Sequence, residues 1–365
     1  MKYFASLLLV FTTLIACAQA PTGYYNSVQG KTGYALKTEL KNIITNGHNT
    51  QSYGDLWNAY YTSDIDNYYE NDGTILDIYS ENPTGNDPYE YTPGNNDQCG
   101  NYNSEGDCYN REHLMPQSWF NENLPMKTDI HHVVPTDGYV NGHRGHLPFG
   151  EVNNASYTSN NGSKKGNNVY NYPTTYNGEV FEPIDEFKGD IARAYFYMAT
   201  RYENEIGSWE GENDGSQNTL NGSSDQVFED WMLSMLIEWH IDDPVSQKEI
   251  DRNNEAYLFQ GNRNPYVDHP EWVEDVWESF ISVPTNKREQ FSIYPNPIIN
   301  NEVFINTPYQ SGFEVQIFAL NGKKMMQKNF SKSNNKIRLN NLNSGIYFIK
   351  INTQNQSFIQ KLIIP

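Results

Sequence analysis

Two neighbouring segments predict one local fold: "YNREHLM" at residues 109–115 and "DIHHVVPTDGYVNGHRG" at residues 129–145. The first predicts a short strand, and "DIHHVVP" predicts a second strand that ends at Pro135. Thr136 or Asp137 can then cap a short helix. Five of the eight histidines fall within 34 residues here, which core packing does not require. The pattern predicts a strand–strand–helix unit with a chemical role.

The predicted unit brings polar side chains to one point. Residues 137, 141 and 144 fall on one helical face, near the end of the first strand. Glu112 and Asn141 offer oxygen ligands to a hard divalent cation, which leaves positions for water and phosphate oxygens. His113 can take a proton from the attacking water, and Arg144 can hold a phosphate oxygen. This set suits metal-dependent phosphodiester hydrolysis.

Two other interpretations stay open at this stage. A cluster of histidines more often indicates zinc than magnesium, so His131, His132, His143 and His146 could form the ligand set of a zinc-dependent hydrolase. The chain could also be a cell-surface binding protein with an inactive site. Metal analysis and a cleavage assay would separate the three interpretations.

Longer motifs carry a resemblance to a known family. "REHLMPQSWF", "DIHHVVPTDGYVNGHRG", "FEPIDEFKGDIARAYFYMATRY" and "EWHIDDPVSQKEIDRNNEAYLFQGNRNPYVDHPE" resemble, in that order, the endonuclease I family of secreted or periplasmic nucleases. The resemblance covers about residues 24–276. It implies a ββα-metal core, sequence-independent cleavage of DNA with RNA often accepted, and Mg²⁺, for which Mn²⁺ or Ca²⁺ could substitute.

The resemblance also implies roles for individual residues. His113 matches the general base of the family, and Glu112 and Asn141 match its metal ligands. Arg144 matches the arginine three residues after that asparagine, and we expect it to act in catalysis. His131 matches a histidine that braces the site.

The sequence departs from the family pattern in three respects. The connection before the second strand is short and holds only Lys127 as a cation, so which cation stabilises the transition state stays open, with Arg144, Arg111 and Arg263 as candidates. His143 stands where the family often has Asp, and there are fewer cysteines for disulfides. The "NRNP" sequence around Arg263 favours a structural turn over a wall of the substrate groove.

The chain divides into four predicted regions. Residues 1–20 have the charge, apolar run and Ala-Gln-Ala ending of a secretory signal peptide, although acylation at Cys17 is an alternative. Residues 21–282 form the catalytic domain, residues 283–290 a linker, and residues 291–365 a second domain. We therefore expect an α+β fold: a mixed nuclease domain followed by a small antiparallel β-sandwich.

The last region consists of seven short apolar runs, as in a small sandwich. They are "FSIYP", "EVFINT", "FEVQIFAL", "KKMMQKNF", "NKIRLN", "GIYFIKIN" and "SFIQKLII". "YPNP", "FALNGKKM", "LNSGIYFIKI" and "KLII" resemble the C-terminal sorting domain of type IX secretion. This resemblance implies a secreted or cell-surface protein that is exported by the type IX machinery. We expect nucleic acid as the substrate and no stable protein partner.

The charge of the predicted catalytic domain bears on how strongly it can bind nucleic acid. Residues 21–282 hold 14 basic and 42 acidic side chains, a balance that argues against strong binding of a polyanion.

Cys99 and Cys108 predict one disulfide in an exported chain, although two free thiols are an alternative. Apolar spacing predicts helices at residues 35–47, 186–203 and 224–240, the last capped by Ser224 or Asp225.

Overall fold

The computed structural model describes residues 20–211 and 215–282, and most of the strands after residue 291. The predicted signal peptide, the alternative at Cys17 and the predicted linker lie outside the described residues. Contacts within the chain define two units, Met1–Val283 and Pro284–Pro365. None of the described helices is long and apolar enough to cross a bilayer.

The first unit mixes helices with small antiparallel sheets, so its fold is α+β. Its helices are α1 (Gly33–Thr45), α2 (Asp55–Ser63), α3 (Gly138–Arg144), α4 (Lys188–Arg201), α5 (Asp230–Asp242), α6 (Gln247–Gln260), α7 (Pro265–Asp268), α8 (Trp272–Val276) and α9 (Glu278–Ser282). Its strands are β1 (Tyr109–His113), β2 (Val133–Asp137), β3 (Val152–Thr158), β4 (Lys164–Asn168) and β5 (Glu179–Glu182).

All three predicted helices are present, but their first and last residues differ from the predicted ones. The helices predicted at residues 35–47 and 186–203 are α1 and α4. The third, α5, begins at Asp230, six residues later than predicted. Val227 has a left-handed backbone (φ 72°), which a helix cannot contain. The predicted caps Ser224 and Asp225 therefore both lie before the helix, and its N-cap is Glu229.

Helix α4 forms the centre of the core. The spacing of Ile191, Ala194, Tyr195 and Met198 predicts burial of one side of this helix, but all residues from Lys188 to Thr200 except Asp190 are buried. This burial arises because α1, α5 and α7 all pack against α4. The apolar core of the unit surrounds this helix and includes side chains on both sides of it.

The first strand pair agrees with the prediction in part. Strands β1 and β2 pair antiparallel, with Glu112 opposite Val134. Strand β2 begins at Val133, so the start predicted at residue 129 is wrong. It also continues through Pro135, which a strand with one partner tolerates because the missing N–H can face away from the ladder. Asp137 caps α3, since its side chain accepts a hydrogen bond from the Val140 amide (2.7 Å).

The predicted disulfide between Cys99 and Cys108 is confirmed. It lies directly before β1, and the Cys99 N–H donates a backbone hydrogen bond to the carbonyl oxygen of Tyr109, the first residue of β1 (2.8 Å). Farther along the chain, β3, β4 and β5 form a second antiparallel sheet.

All seven runs predicted after residue 291 are strands. They are β6 (Ser292–Ile299), β7 (Glu302–Asn306), β8 (Phe313–Ala319), β9 (Lys324–Phe330), β10 (Lys336–Arg338), β11 (Gly345–Asn352) and β12 (Ser357–Ile364). They form two antiparallel sheets, in the orders β10-β7-β6 and β12-β11-β8-β9. One apolar cluster contains residues of both sheets, including Val303, Ile305, Val315 and Ile349.

Candidate active site

One face of β1 and one face of α3 meet at the candidate site. Asn110 and Glu112 are two residues apart on β1 and therefore point to the same side of the strand. Asn141 of α3 donates from Nδ2 to Oδ1 of Asn110 (2.7 Å), and Arg144 reaches Oε1 of Glu112 (3.0 Å). The expected side chains of the strand and the helix therefore lie together.

Glu112 is buried, with 2 % of its surface exposed. Its Oε1 accepts a hydrogen bond from the hydroxyl of Tyr79 (3.1 Å) and pairs with Arg144. Burial raises the pKa of Glu112 to about 7, because the opposing effects of Arg144 and Tyr79 offset only part of the desolvation. Both contacts fall on one oxygen, so Oε2 is the atom that can serve as a ligand.

The ring of His113 is fixed by the backbone of the following loop. Its Nε2 lies 3.0 Å from the carbonyl oxygen of Lys127, and that oxygen can only accept, so Nε2 carries the proton. Nδ1 is then the unprotonated nitrogen. Burial, followed by the neighbouring His132, lowers the pKa of His113 to about 3, so the ring is neutral at physiological pH. This is the state that a general base requires.

Arg144 is placed differently from the sequence expectation. Its side chain is 1 % exposed and lies over the ring of Phe149, with its guanidinium carbon 4.6 Å from the ring centroid. Besides pairing with Glu112, it donates to the carbonyl oxygens of His113 (2.9 Å) and Leu114. Nη1 and Nη2 are engaged by these partners, and Nε, which has no partner among the described residues, is buried, so the geometry is that of a side chain that holds β1 and Glu112 in place.

Two other cations lie nearer the surface beside His113. The guanidinium of Arg111 covers the rings of Tyr53 (3.5 Å) and Trp57 (4.2 Å), and Nζ of Lys127 lies 5.0 Å from the Tyr53 centroid. The Tyr53 and His113 ring centroids are 6.0 Å apart. Arg111, Tyr53 and Lys127 are all partly exposed. We name these three residues the cationic rim.

The histidines considered as zinc ligands point to different partners. Nε2 of His131 lies 3.2 Å from the Asn262 carbonyl and Nε2 of His132 lies 2.7 Å from the Met126 carbonyl. His143 stacks on Tyr157. Across the described part of the chain, the group of potential metal-ligating side chains is Asp66, Glu70 and Glu81, which contains no histidine. The zinc site is therefore not assembled in these residues.

The "DIHH" segment has a structural role in this geometry. The carboxylate of Asp129 accepts hydrogen bonds from Gln260 (2.7 Å) and from the hydroxyls of Tyr197 and Tyr202 (2.8 Å each). Burial opposes ionisation of Asp129, but nearby histidines, His48 first, hold its pKa well below its usual range. The network connects the segment before β2 to α4 and to the end of α6, and His131 joins it through Asn262.

Arg263 also has internal partners. Its guanidinium pairs with Asp268 through two hydrogen bonds of 2.7 Å each, and the side chain is 2 % exposed. Asn264 caps α7, with its side chain accepting from Tyr266 N (3.0 Å). These contacts agree with the structural-turn interpretation of this segment.

The sequence analysis did not single out Tyr79 and Asn110. Asn110 could have been found, because strand periodicity places it on the same face as Glu112. Tyr79 comes from a loop 33 residues before Glu112, and no local pattern marks its approach.

Two family models match the chain. A family model described as Endonuclease I matches residues 32–271, and one described as Secretion system C-terminal sorting domain matches residues 292–365. The "Extracellular ribonuclease" of Bacillus amyloliquefaciens is 38% identical over 257 residues, which is 70% of this chain and 78% of that protein. The protein of the same name from Bacillus subtilis is 36% identical over the same shares.

A more distant relative is the "Endonuclease-1" of Buchnera aphidicola subsp. Acyrthosiphon pisum, 25% identical over 142 residues, or 39% of this chain and 45% of that protein. The chain is a nuclease enzyme. It belongs to the endonuclease I family, as both the family model and the relatives from Bacillus show. Its sorting domain indicates that it is secreted or attached to the cell surface after type IX export.

Proposed function

We propose that this chain is a sequence-nonspecific, metal-dependent endonuclease that hydrolyses phosphodiester bonds of DNA, with RNA as a second substrate. The observation that carries the proposal is the meeting of β1 and α3, which brings the buried carboxylate of Glu112 to α3 and orients the amide of Asn141, with the neutral His113 next to Glu112 on β1. In this proposal β1, β2 and α3 are a ββα-metal core.

The donor set fits a hard divalent cation, for which we propose Mg²⁺, with Mn²⁺ or Ca²⁺ as substitutes. Glu112 supplies a carboxylate oxygen. Asn141 supplies its carbonyl oxygen, because its Nδ2 is engaged with Asn110. Carboxylate and amide oxygens are the ligands that such cations prefer. A cation held there would stabilise negative charge on the phosphate and on the leaving oxygen.

His113 is proposed as the general base. The hydrogen bond from its Nε2 to the Lys127 carbonyl sets the tautomer, so that Nδ1 can accept a proton from the attacking water. The same bond fixes the plane of the ring. Because the acceptor is a backbone carbonyl, substitution of the Lys127 side chain leaves this support intact.

The cationic rim is proposed to contact the substrate phosphate. Arg111 and Lys127 are partly exposed beside His113, whereas Arg144 is buried against Glu112. We assign Arg144 a positioning role: it holds Glu112 and the end of β1. This assignment replaces the catalytic role expected for Arg144 from the family resemblance.

Both nucleic acids fit this site, because nothing in the proposed chemistry uses the 2′-hydroxyl of RNA. The relatives from Bacillus are named ribonucleases, and the more distant relatives are named endonucleases. The contacts argued here are to phosphate, which carries no sequence information. We therefore propose sequence-independent cleavage.

The two units have separate proposed roles. Residues 21–282 are the catalytic domain, residues 283–290 a linker, and residues 291–365 the sorting domain. The two antiparallel sheets of the C-terminal unit share one apolar core, as a β-sandwich does. In this proposal the type IX machinery is the transport partner, and nucleic acid is the substrate.

The experiment is digestion of supercoiled plasmid and of a folded RNA by the purified chain, with Mg²⁺, with Zn²⁺ and with EDTA. We expect both substrates to be cut with Mg²⁺ and neither with EDTA. Glu112→Gln is the matched control, because it removes one charge at nearly constant volume. Cleavage that persists in EDTA, or that requires Zn²⁺, would contradict the proposal.

A further inference from the structure

A second group of carboxylates lies in the loop between α2 and β1. Asp66, Glu70 and Glu81 each bring a carboxylate oxygen into one group in which these atoms all lie within 4.8 Å of one another. Asp66 and Glu81 are buried, and Glu70 is partly buried. Three carboxylates this close repel one another strongly unless a proton or a cation lies between them.

Among the three acids, Glu81 gives the strongest indication of a bound cation. It is 1 % exposed, and neither Oε1 nor Oε2 has a hydrogen-bond partner among the described residues. A buried carboxylate without a donor is costly, and native proteins pair such groups or use them to coordinate metals. Its backbone is held, since its N–H donates to the Asp77 carbonyl (2.9 Å) and its carbonyl accepts from Asn161 (3.3 Å). The fixed backbone leaves the carboxylate facing the other two acids.

The surroundings of Glu81 add further negative charge. The charged groups with the largest effect on Glu81 are Asp87, Glu70, Asp66 and Asp77, all acidic. Together with burial they raise the pKa of Glu81 to about 9 in the absence of a cation. Asp66 uses its carboxylate oxygens to accept from backbone amides of its own loop, which keeps the loop folded around the group.

We propose that Asp66, Glu70 and Glu81 bind a divalent cation of the calcium class. Oxygens on opposite sides of Ca²⁺ lie about 4.6–5.2 Å apart, whereas those around Mg²⁺ lie about 4.0–4.2 Å apart. The three ligand oxygens of the group all lie within 4.8 Å of one another, a spacing that oxygens around Ca²⁺ can have. Calcium also accepts irregular sets of carboxylate, carbonyl and water oxygens, as a surface loop can supply.

The site would be structural and would support the catalytic centre from outside it. Glu81 lies two residues after Tyr79, whose hydroxyl donates to Glu112. Asp77, at the start of the same turn, accepts from the amide of Asp137, the N-cap of α3. A cation on Glu81 therefore stabilises the segment that connects to both β1 and α3.

The test is calcium binding by the full chain after treatment with EDTA and dialysis, measured by isothermal titration calorimetry and thermal unfolding. The measurements use the Glu112→Gln background, so that the proposed catalytic metal does not contribute and the two proposals fail separately. We expect one Ca²⁺ site, weaker binding of Mg²⁺, and a rise in Tm of about 5 °C at a hundredfold excess over Kd.

In that background, Glu81→Gln and Glu70→Gln should each weaken Ca²⁺ binding at least tenfold and remove most of the gain in Tm. Glu90→Gln is the matched control: it changes an exposed acid outside the group and should leave both measurements unchanged. In EDTA, Glu81→Gln should melt at or above the temperature of its parent, because the unpartnered carboxyl is gone.

Absence of Ca²⁺ binding in the Glu112→Gln background would overturn the proposal. So would binding that neither Glu81→Gln nor Glu70→Gln weakens. If Glu81→Gln fails to fold, Glu70→Gln still decides the question, because Glu70 is partly exposed and its replacement leaves the core intact.

Discussion

Nδ2 of Asn141 donates a 2.7 Å hydrogen bond to Oδ1 of Asn110, and this bond joins α3 to β1. Because the amide nitrogen is engaged, the carbonyl oxygen of Asn141 is turned away from Asn110 and is fixed for a ligand. Asn110 lies two residues before Glu112, so the same strand positions both proposed ligands. The bond makes Asn110 a positioning residue for the metal.

Asn110→Ala should therefore weaken metal binding without removing a ligand. We expect the Mg²⁺ concentration for half-maximal activity to rise about tenfold, with kcat at saturating Mg²⁺ nearly unchanged. Tenfold is the lower end of the usual loss of metal affinity when a ligand loses its hydrogen-bond partner. Asn110→Asp keeps an acceptor for Asn141 and should need no more Mg²⁺ than the unaltered chain. Equal metal requirements for Asn110→Ala and the unaltered chain would remove this role from Asn110.

The acid side of the pH profile should depend on metal concentration. Burial raises the pKa of Glu112 to about 7, and a cation binds only its ionised form. Protons therefore compete with Mg²⁺ below pH 7, and the half-saturating Mg²⁺ concentration should rise about tenfold for each unit of pH below 7. It should level off above pH 8. Mg²⁺ titrations at pH 5, 6, 7 and 8 test this, and a half-saturating concentration that is constant over this range would contradict it.

Replacement of Arg144 should lower the stability of the protein, whereas replacement of Lys127 should lower its catalytic efficiency. Arg144→Met leaves Glu112 buried without its partner and should lower the free energy of unfolding by about 3–5 kcal/mol. Lys127→Met keeps the backbone carbonyl that supports His113, so its unfolding free energy should change little. Its kcat/KM should fall about 10–100-fold, the value of one charge-assisted hydrogen bond to phosphate.

Denaturant unfolding and steady-state kinetics of the two variants make this comparison. If Arg144→Met is as stable as the unaltered chain and loses activity, while Lys127→Met keeps its activity, then Arg144 is the phosphate contact. The cationic rim would then have no part in binding substrate.

The C-terminal unit should be dispensable for catalysis. The residues of the proposed site all belong to the unit Met1–Val283, and the sorting-domain match begins at residue 292. A chain that ends at residue 282 should cut plasmid with the same kcat/KM as the full chain, within about twofold. Circular dichroism establishes that the shortened chain is folded. A folded but inactive shortened chain would show that the C-terminal unit contributes to the site.

Local patterns predicted much of this protein. Helical spacing located α1 and α4, alternation located the seven C-terminal strands, and the motif around Glu112 located the strand pair. The failures have physical causes outside local sequence. The start of α5 is set by the left-handed Val227, and α4 is buried on all sides because three helices contact it.

Local sequence also predicted only part of the candidate site. Glu112, His113 and Asn141 could be selected because a hard cation and a proton acceptor require those side chains. Residue type alone could not decide the role of Arg144, because an arginine suits a phosphate and a buried carboxylate equally well. Only the tertiary structure shows that its guanidinium pairs with Glu112 and with two backbone carbonyls.

The most direct test of the account is an Mg²⁺ titration of activity and of metal binding for His113→Ala, Glu112→Ala and Asn141→Ala. The account predicts that His113→Ala loses about 10²–10⁴ in kcat while its Mg²⁺ affinity stays nearly constant. Glu112→Ala should lose Mg²⁺ affinity and regain some activity at high Mg²⁺, and Asn141→Ala should do so more mildly. Loss of the metal in His113→Ala, with the metal retained in Glu112→Ala, would make His113 a ligand and contradict the account.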